Sequence, residues 1–111
     1  MNKSPASTSL IYSNLASDPD LSDLVEEYVA ANQGRIVDLI EAYQHQDWAQ
    51  LGVLAHQIKG SAGSYGFHTL TDPAHNLETA CEFADTLRLT QTFDHLIELL
   101  HRLTSDAPFE E

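Results

Sequence analysis

Basic residues are scarce in this chain: five Lys and Arg stand against 17 Asp and Glu, for a formal net charge of −12. Binding a nucleic-acid backbone or an anionic membrane surface depends on clustered cations, so neither is an expected partner. Cysteine is nearly absent. Cys81 has no second thiol in the chain to pair with, so the fold must rest on its core, as suits a reducing compartment. No apolar run approaches the roughly 18 residues needed to cross a bilayer, and residues 1–16 lack the continuous apolar stretch of a secretory signal. A cytoplasmic protein is the expectation. No segment alternates apolar and polar residues as a half-buried strand does, and none repeats. The 111 residues are enough for one core of ordinary domain size.

What the chain does contain is helical periodicity. Residues 1–9 are small and polar and read as a flexible tail, after which Leu10, Ile11, Tyr12 and Leu15 can dock on the body of the protein. Asp18 followed by Pro19 has the form of an N-cap with proline in the first turn. From there Leu21, Leu24, Val25, Tyr28, Val29, Ile36, Leu39, Ile40 and Tyr43 recur at steps of three and four, predicting a helix over 19–45 with a weak point at Asn32, Gln33 and Gly34. Asp47 with Gln50 resembles a capping box and opens a second helix over 48–65, stopped by Gly66. Asp72 and Pro73 mark the start of a third, with a seam of Leu70, Ala74, Leu77, Cys81 and Ala84. Leu89, Phe93, Leu96, Ile97, Leu100 and Leu103 define a fourth. The expected fold is all-α: an antiparallel up-and-down four-helix bundle over 10–105, with a short N-terminal extension and an acidic tail over 106–111.

On the second helix, Leu51, Leu54, Ile58, Ala62 and Tyr65 share one face and His56 points the opposite way, at 100° per residue. Gly52, Gly60 and Gly63, with Val53 and Lys59, lie within about 60° of the histidine's direction. Each glycine in a helix interior costs up to about 1 kcal/mol relative to alanine, and on an outward stripe nothing in the core requires it. The pattern predicts that an outside surface approaches His56 closely. Neutral imidazole is a good nucleophile near neutral pH and can pass on a phosphoryl group, and Lys59, one turn away, can neutralise phosphoryl oxygens.

The run His56, Gln57, Ile58, Lys59, Gly60, Ser61, with Gly63 and Gly66 following, resembles the signature of the histidine phosphotransfer (HPt) domains of multistep phosphorelays. Asp47, Trp48, Leu51 and Ala55 upstream, and Leu70, Ala74, Leu77 and Glu78 downstream, fit the same family over about residues 10–104. The resemblance implies a bundle that accepts a phosphoryl group from the aspartyl phosphate of a receiver domain and returns it to another. Its partners would be receivers of response regulators and hybrid histidine kinases, met by a monomer. His56 would be the acceptor, Lys59 the phosphate partner and Gly60 the residue whose missing side chain admits the receiver. Magnesium would belong to the receiver, leaving this domain with no cofactor of its own. Pro73, early in a helix the family usually runs unbroken, and the heavy acidic charge depart from the pattern. Ser61, at about 140° from His56 on the helix, sits at the core's edge, where a structural role is at least as natural. Glu78 and Glu82 lie one turn apart, off the seam of their helix. A solvated face is the ordinary expectation for them, but if the second and third helices pack as the family's do, one can orient His56 through Nδ1–H and leave Nε2 free.

Two other readings compete. His45, His68, His75, His95 and His101 invite a metal site, since bundles hold di-metal centres with Glu-x-x-His on facing helices. Glu98-x-x-His101 has that form, whereas His75-x-x-Glu78 reverses it and lies off the seam. A partner-binding bundle without phosphotransfer is the second, and His56 with Lys59 argues against it. An ATP-dependent kinase would need a nucleotide domain, for which no residues remain, so a phosphocarrier and not an enzyme is expected.

Overall fold

The computed structural model describes residues 9–108. Apart from Ser9, the expected tail over 1–9 lies outside the described residues, as do the last three residues of the acidic tail over 106–111. The elements in order are β1 (Ile11–Tyr12), α1 (Ser22–Ala30), α2 (Asn32–Gln44), α3 (Trp48–Ser64), a 3₁₀ turn (His68–Leu70), α4 (Thr71–Phe83), α5 (Thr86–Leu100) and β2 (Leu103–Thr104). Helices dominate, and α2 to α5 close a ring in which α3 lies against α2 and α4, and α5 against α4 and α2. Leu51, Ala55, Ile58 and Ala62 of α3 meet Ile36, Leu39, Ala74, Leu77, Leu89 and Leu96 in one buried cluster. Each large apolar side chain taken fully from water in this way contributes roughly 1.5–3 kcal/mol. Leu54 and Tyr65 are only partly buried against it.

The first expected helix is two helices, and it starts later than its cap signature suggests. Asp18 accepts from the Asp20 N–H in a turn, and regular helix begins at Ser22. The break falls at Ala31, three residues before Gly34, which lies inside α2. Asn32 causes it: its side chain is buried and donates to the Leu100 carbonyl at 2.7 Å, fixing α2 to the end of α5. Arg35 donates to the Tyr28 carbonyl at 2.6 Å and lies 3.6 Å over the Tyr28 ring, satisfying backbone near the break.

Three helix ends close by the same device. The sixth residue donates back to the first carbonyl of the turn, from Asp47 to Ala42, Phe67 to Ala62 and Asp85 to Ala80. The residue before each donor takes positive φ: Gln46 at 56°, Gly66 at 85° and Ala84 at 49°. Asp47 and Asp85 then cap the next helix at once, accepting from the Gln50 and Arg88 N–H groups. Ala84 is therefore an exposed helix stop and not part of the buried seam. Pro73 occupies the first turn of α4, where its missing N–H leaves the helix unbroken.

The chain also forms a small sheet that its sequence pattern does not announce. Ile11 pairs with Leu103 and Tyr12 with Thr104 in parallel register, so Leu103 belongs to β2 and not to the last helix. The segment after β1 then locks onto the end of α3. Ser13, buried, donates to the Tyr65 carbonyl at 2.6 Å, and the Asn14 N–H donates to the Gly66 carbonyl at 3.0 Å. Gly66 is required twice over, by its φ and because a Cβ there would collide with Ser13 Oγ and lie 3.0 Å from the Asn14 nitrogen. Gly66→Ala should destabilise the protein by more than the roughly 1–2 kcal/mol of the left-handed conformation alone. A chemical-denaturation midpoint equal to the wild type would contradict this.

Candidate functional site

His56 stands in the middle of α3 with 64% of its side chain exposed. It faces outward because Leu51, Ala55, Ile58 and Ala62 take the opposite face into the core. The partner that orients it comes from α4. His56 Nδ1 lies 2.9 Å from Glu78 Oε2, and Lys59 Nζ donates to Glu78 Oε1 at 2.8 Å. The two arms of one carboxylate thus hold the histidine and the lysine of a single turn of α3.

Electrostatics fixes the proton on this bond. The Lys59 ammonium holds the Glu78 carboxyl below its ordinary value of 4.5, opposed by partial burial and reinforced by His56. An ionised carboxylate can only accept, so Nδ1 carries the hydrogen and donates, and the lone pair of the neutral ring sits on Nε2. Because the folded-state value is lowered, the stability Glu78 contributes is complete above pH 4.5 and is lost as the pH falls through the lowered value. Glu78→Gln should accordingly be less stable than the wild type at neutral pH, the gap closing as the pH drops below 4.5. Denaturant titrations of both proteins across that range check it, and a gap that persists undiminished in acid would contradict it.

Of the three glycines on the His56 stripe, only Gly60 opens to solvent, with nothing within 4 Å of where its Cβ would stand. The expectation that all three face outward is corrected for the other two. A Cβ on Gly52 would lie 3.4 Å from Cys81 Cβ, so this glycine lets α3 and α4 approach beside the site. A Cβ on Gly63 would touch Thr71 Oγ1 at 3.7 Å and His68 Nδ1 at 3.9 Å. Ser61 is half-buried and shares a 2.8 Å hydrogen bond with the Tyr28 hydroxyl, tying α1 to α3. Among the described residues Glu82 makes no hydrogen bond or ion pair with His56, and it instead lines a groove of about 660 Å³ beside it. Trp48, Val53, Gln57 and Cys81 line the same groove. Burial, with Glu78 nearby, pushes the Cys81 thiol up to about 11, which leaves it protonated and unreactive.

His75 joins the cluster unannounced: Lys59 Nζ donates to its Nδ1 at 3.5 Å, and Glu78 Oε1 is 4.0 Å from the same nitrogen. The sequence offers His75-x-x-Glu78 only as a reversed metal motif, and the spacing that brings it to Lys59 belongs to the packing of two helices. The metal reading finds no support in the geometry. Among the described residues no three His, Cys, Asp or Glu side chains are grouped to hold an ion, and Glu98 pairs with Arg102 at 3.2 Å.

An exposed imidazole, tethered through one nitrogen on a helical bundle and flanked by a cation and an open glycine, is the arrangement of a carrier that receives a group from outside. The family model of the Hpt domain matches residues 23–106, and the chain belongs to that family, the histidine phosphotransfer domains of phosphorelay signalling. Members are phosphocarriers rather than kinases and work with receiver domains of two-component systems. Neither the comparison with curated proteins nor that with solved structures gives a match. No helix among the described residues is long and apolar enough to cross a membrane.

Proposed function

We propose that His56 accepts a phosphoryl group from the aspartyl phosphate of a receiver domain and passes it to a second receiver. The observation that carries this reading is the bond between His56 Nδ1 and a carboxylate that Lys59 keeps ionised. The Nε2 lone pair forms the P–N bond while the P–O bond to the receiver's aspartate breaks, and that electron pair leaves with the aspartate carboxylate. No proton has to move. Positive charge developing on the ring is shared with Nδ1–H, which already faces Glu78, so the dipole that stabilises it is in place before reaction. Lys59 neutralises the phosphoryl oxygens, and Gly60 leaves the approach unobstructed. The reverse step uses the same groups, with the positively charged imidazole as a good leaving group.

The groove beside His56, with half-exposed Val53 on its edge, supplies apolar area for a transient receiver contact. In this reading magnesium sits among the receiver's acidic residues, the domain works as a cytoplasmic monomer, and α2 to α5 run up and down in alternation, as their short connections favour. Receivers of hybrid kinases and of response regulators are the two ends of the relay. Mixing the protein with a receiver carrying labelled aspartyl phosphate tests it. The label should move to this chain in a linkage stable to alkali and labile in acid, as a P–N bond is. Label that stays on the receiver, or an alkali-labile linkage, would overturn the proposal.

A further inference from the structure

In the cluster around Glu78, one carboxylate oxygen is shared between more groups than it can serve in both states of the protein. Lys59 donates to Oε1 at 2.8 Å, while the ring nitrogen that would carry phosphoryl is the one His56 does not turn toward Glu78. To meet a phosphoryl group on Nε2, the ammonium must swing off Oε1. That would leave a carboxylate charge facing a group of about two further negative charges. His75 is the next donor available. It precedes Glu78 by one turn of α4, its Nδ1 is 4.0 Å from Oε1, and the same atom accepts from Lys59 at 3.5 Å in the resting arrangement.

We infer that His75 is a positioning residue that exchanges places with Lys59: it accepts from Lys59 before phosphorylation and donates to Glu78 Oε1 afterwards, freeing the ammonium for the phosphoryl group. The exchange requires only a change of tautomer or a proton on an imidazole that is more than half exposed, with solvent as the proton source. It rests on His56 being the phosphorylated residue, but not on any receiver. No other charged side chain bonds to Glu78: its recorded partners are His56, Lys59 and His75.

The test uses the full chain phosphorylated with phosphoramidate, a small donor that forms the P–N bond with loss of ammonia, so that it is independent of the receiver reaction. The His56 signal is isolated by subtracting a His56→Gln control. His75→Ala should shorten the half-life of the His56 phosphoramidate about threefold, in the range of one lost hydrogen bond, with the melting temperature unchanged because the ring is exposed. His75→Asn, whose amide reaches the place of Nδ1, should restore most of it. In the wild type, the nitrogen resonance of His75 Nδ1 should move from pyridine-like to pyrrole-like on phosphorylation. An unchanged half-life in the alanine variant, a static Nδ1 resonance, or a loss that tracks melting temperature and is not rescued by asparagine would each overturn the inference. If these hold while a receiver fails to transfer label, it is the receiver reading that falls.

Discussion

His56→Gln is expected to abolish phosphoryl uptake from a phosphorylated receiver while leaving helical circular dichroism and the unfolding midpoint within the ordinary scatter of a surface substitution, about 0.5 kcal/mol. The side chain is 64% exposed and faces away from the core, and Glu78 keeps Lys59 as a partner when the imidazole is gone, so no buried charge is stranded. Glutamine can still reach toward Glu78, but its amide has no lone pair basic enough to attack phosphorus. Five other histidines remain in the chain, and none has the pairing with an ionised carboxylate and a lysine that His56 has. Label uptake by the variant at the wild-type level would therefore remove His56 from the proposal outright.

Gly60 separates access from packing. The space about its Cβ position is empty to 4 Å, so alanine should fit without displacing anything and stabilise α3 by up to about 1 kcal/mol through its helix preference and the narrower unfolded state. Transfer should move the other way. The position is one turn beyond His56 on the same face, and in-line displacement tolerates little misplacement, an error of about 1 Å costing on the order of 100-fold. Gly60→Ala should slow transfer measurably and Gly60→Gln by about that factor, with neither variant melting below the wild type. If the glycine served helix packing instead, both variants would melt lower and activity would fall with the folded fraction. Measuring melting temperature and transfer rate on the same two proteins distinguishes the outcomes, and a destabilised alanine variant would overturn the access role.

Gly52 shows where reading a helix by its angles stops. Its direction differs from that of His56 by only about 40°, which is why the sequence groups it with Gly60, yet it faces Cys81 across the α3–α4 contact. A helical wheel gives direction about one axis and contains no neighbour. The same limit hides the stops at Gln46 and Ala84. Both take positive φ without being glycine, because the donors that follow them, Asp47 and Asp85, close one helix through the backbone and cap the next through the side chain. Only Gly66 carries a residue-level signal for the same geometry.

What the amino-acid sequence determines by itself is local and periodic: the helical faces, the Asp47 cap, the Gly66 stop and the outward direction of His56. These follow from side chains spaced within one or two turns of the same element, where 100° per residue leaves little freedom. The tertiary structure decides what depends on the rotation and register of one element against another. Glu78 and Glu82 are one turn apart on α4 and equivalent on the helix surface, and only the seating of α4 against α3 brings Glu78 to His56 and leaves Glu82 in the groove. The two-residue strands at Ile11–Tyr12 and Leu103–Thr104 have no periodicity to read, and they exist because the core brings the two ends of the domain together. His75 reaches Lys59 for the same reason: sixteen residues separate them in the chain, and a hydrogen bond at that separation is set by packing, not by pattern.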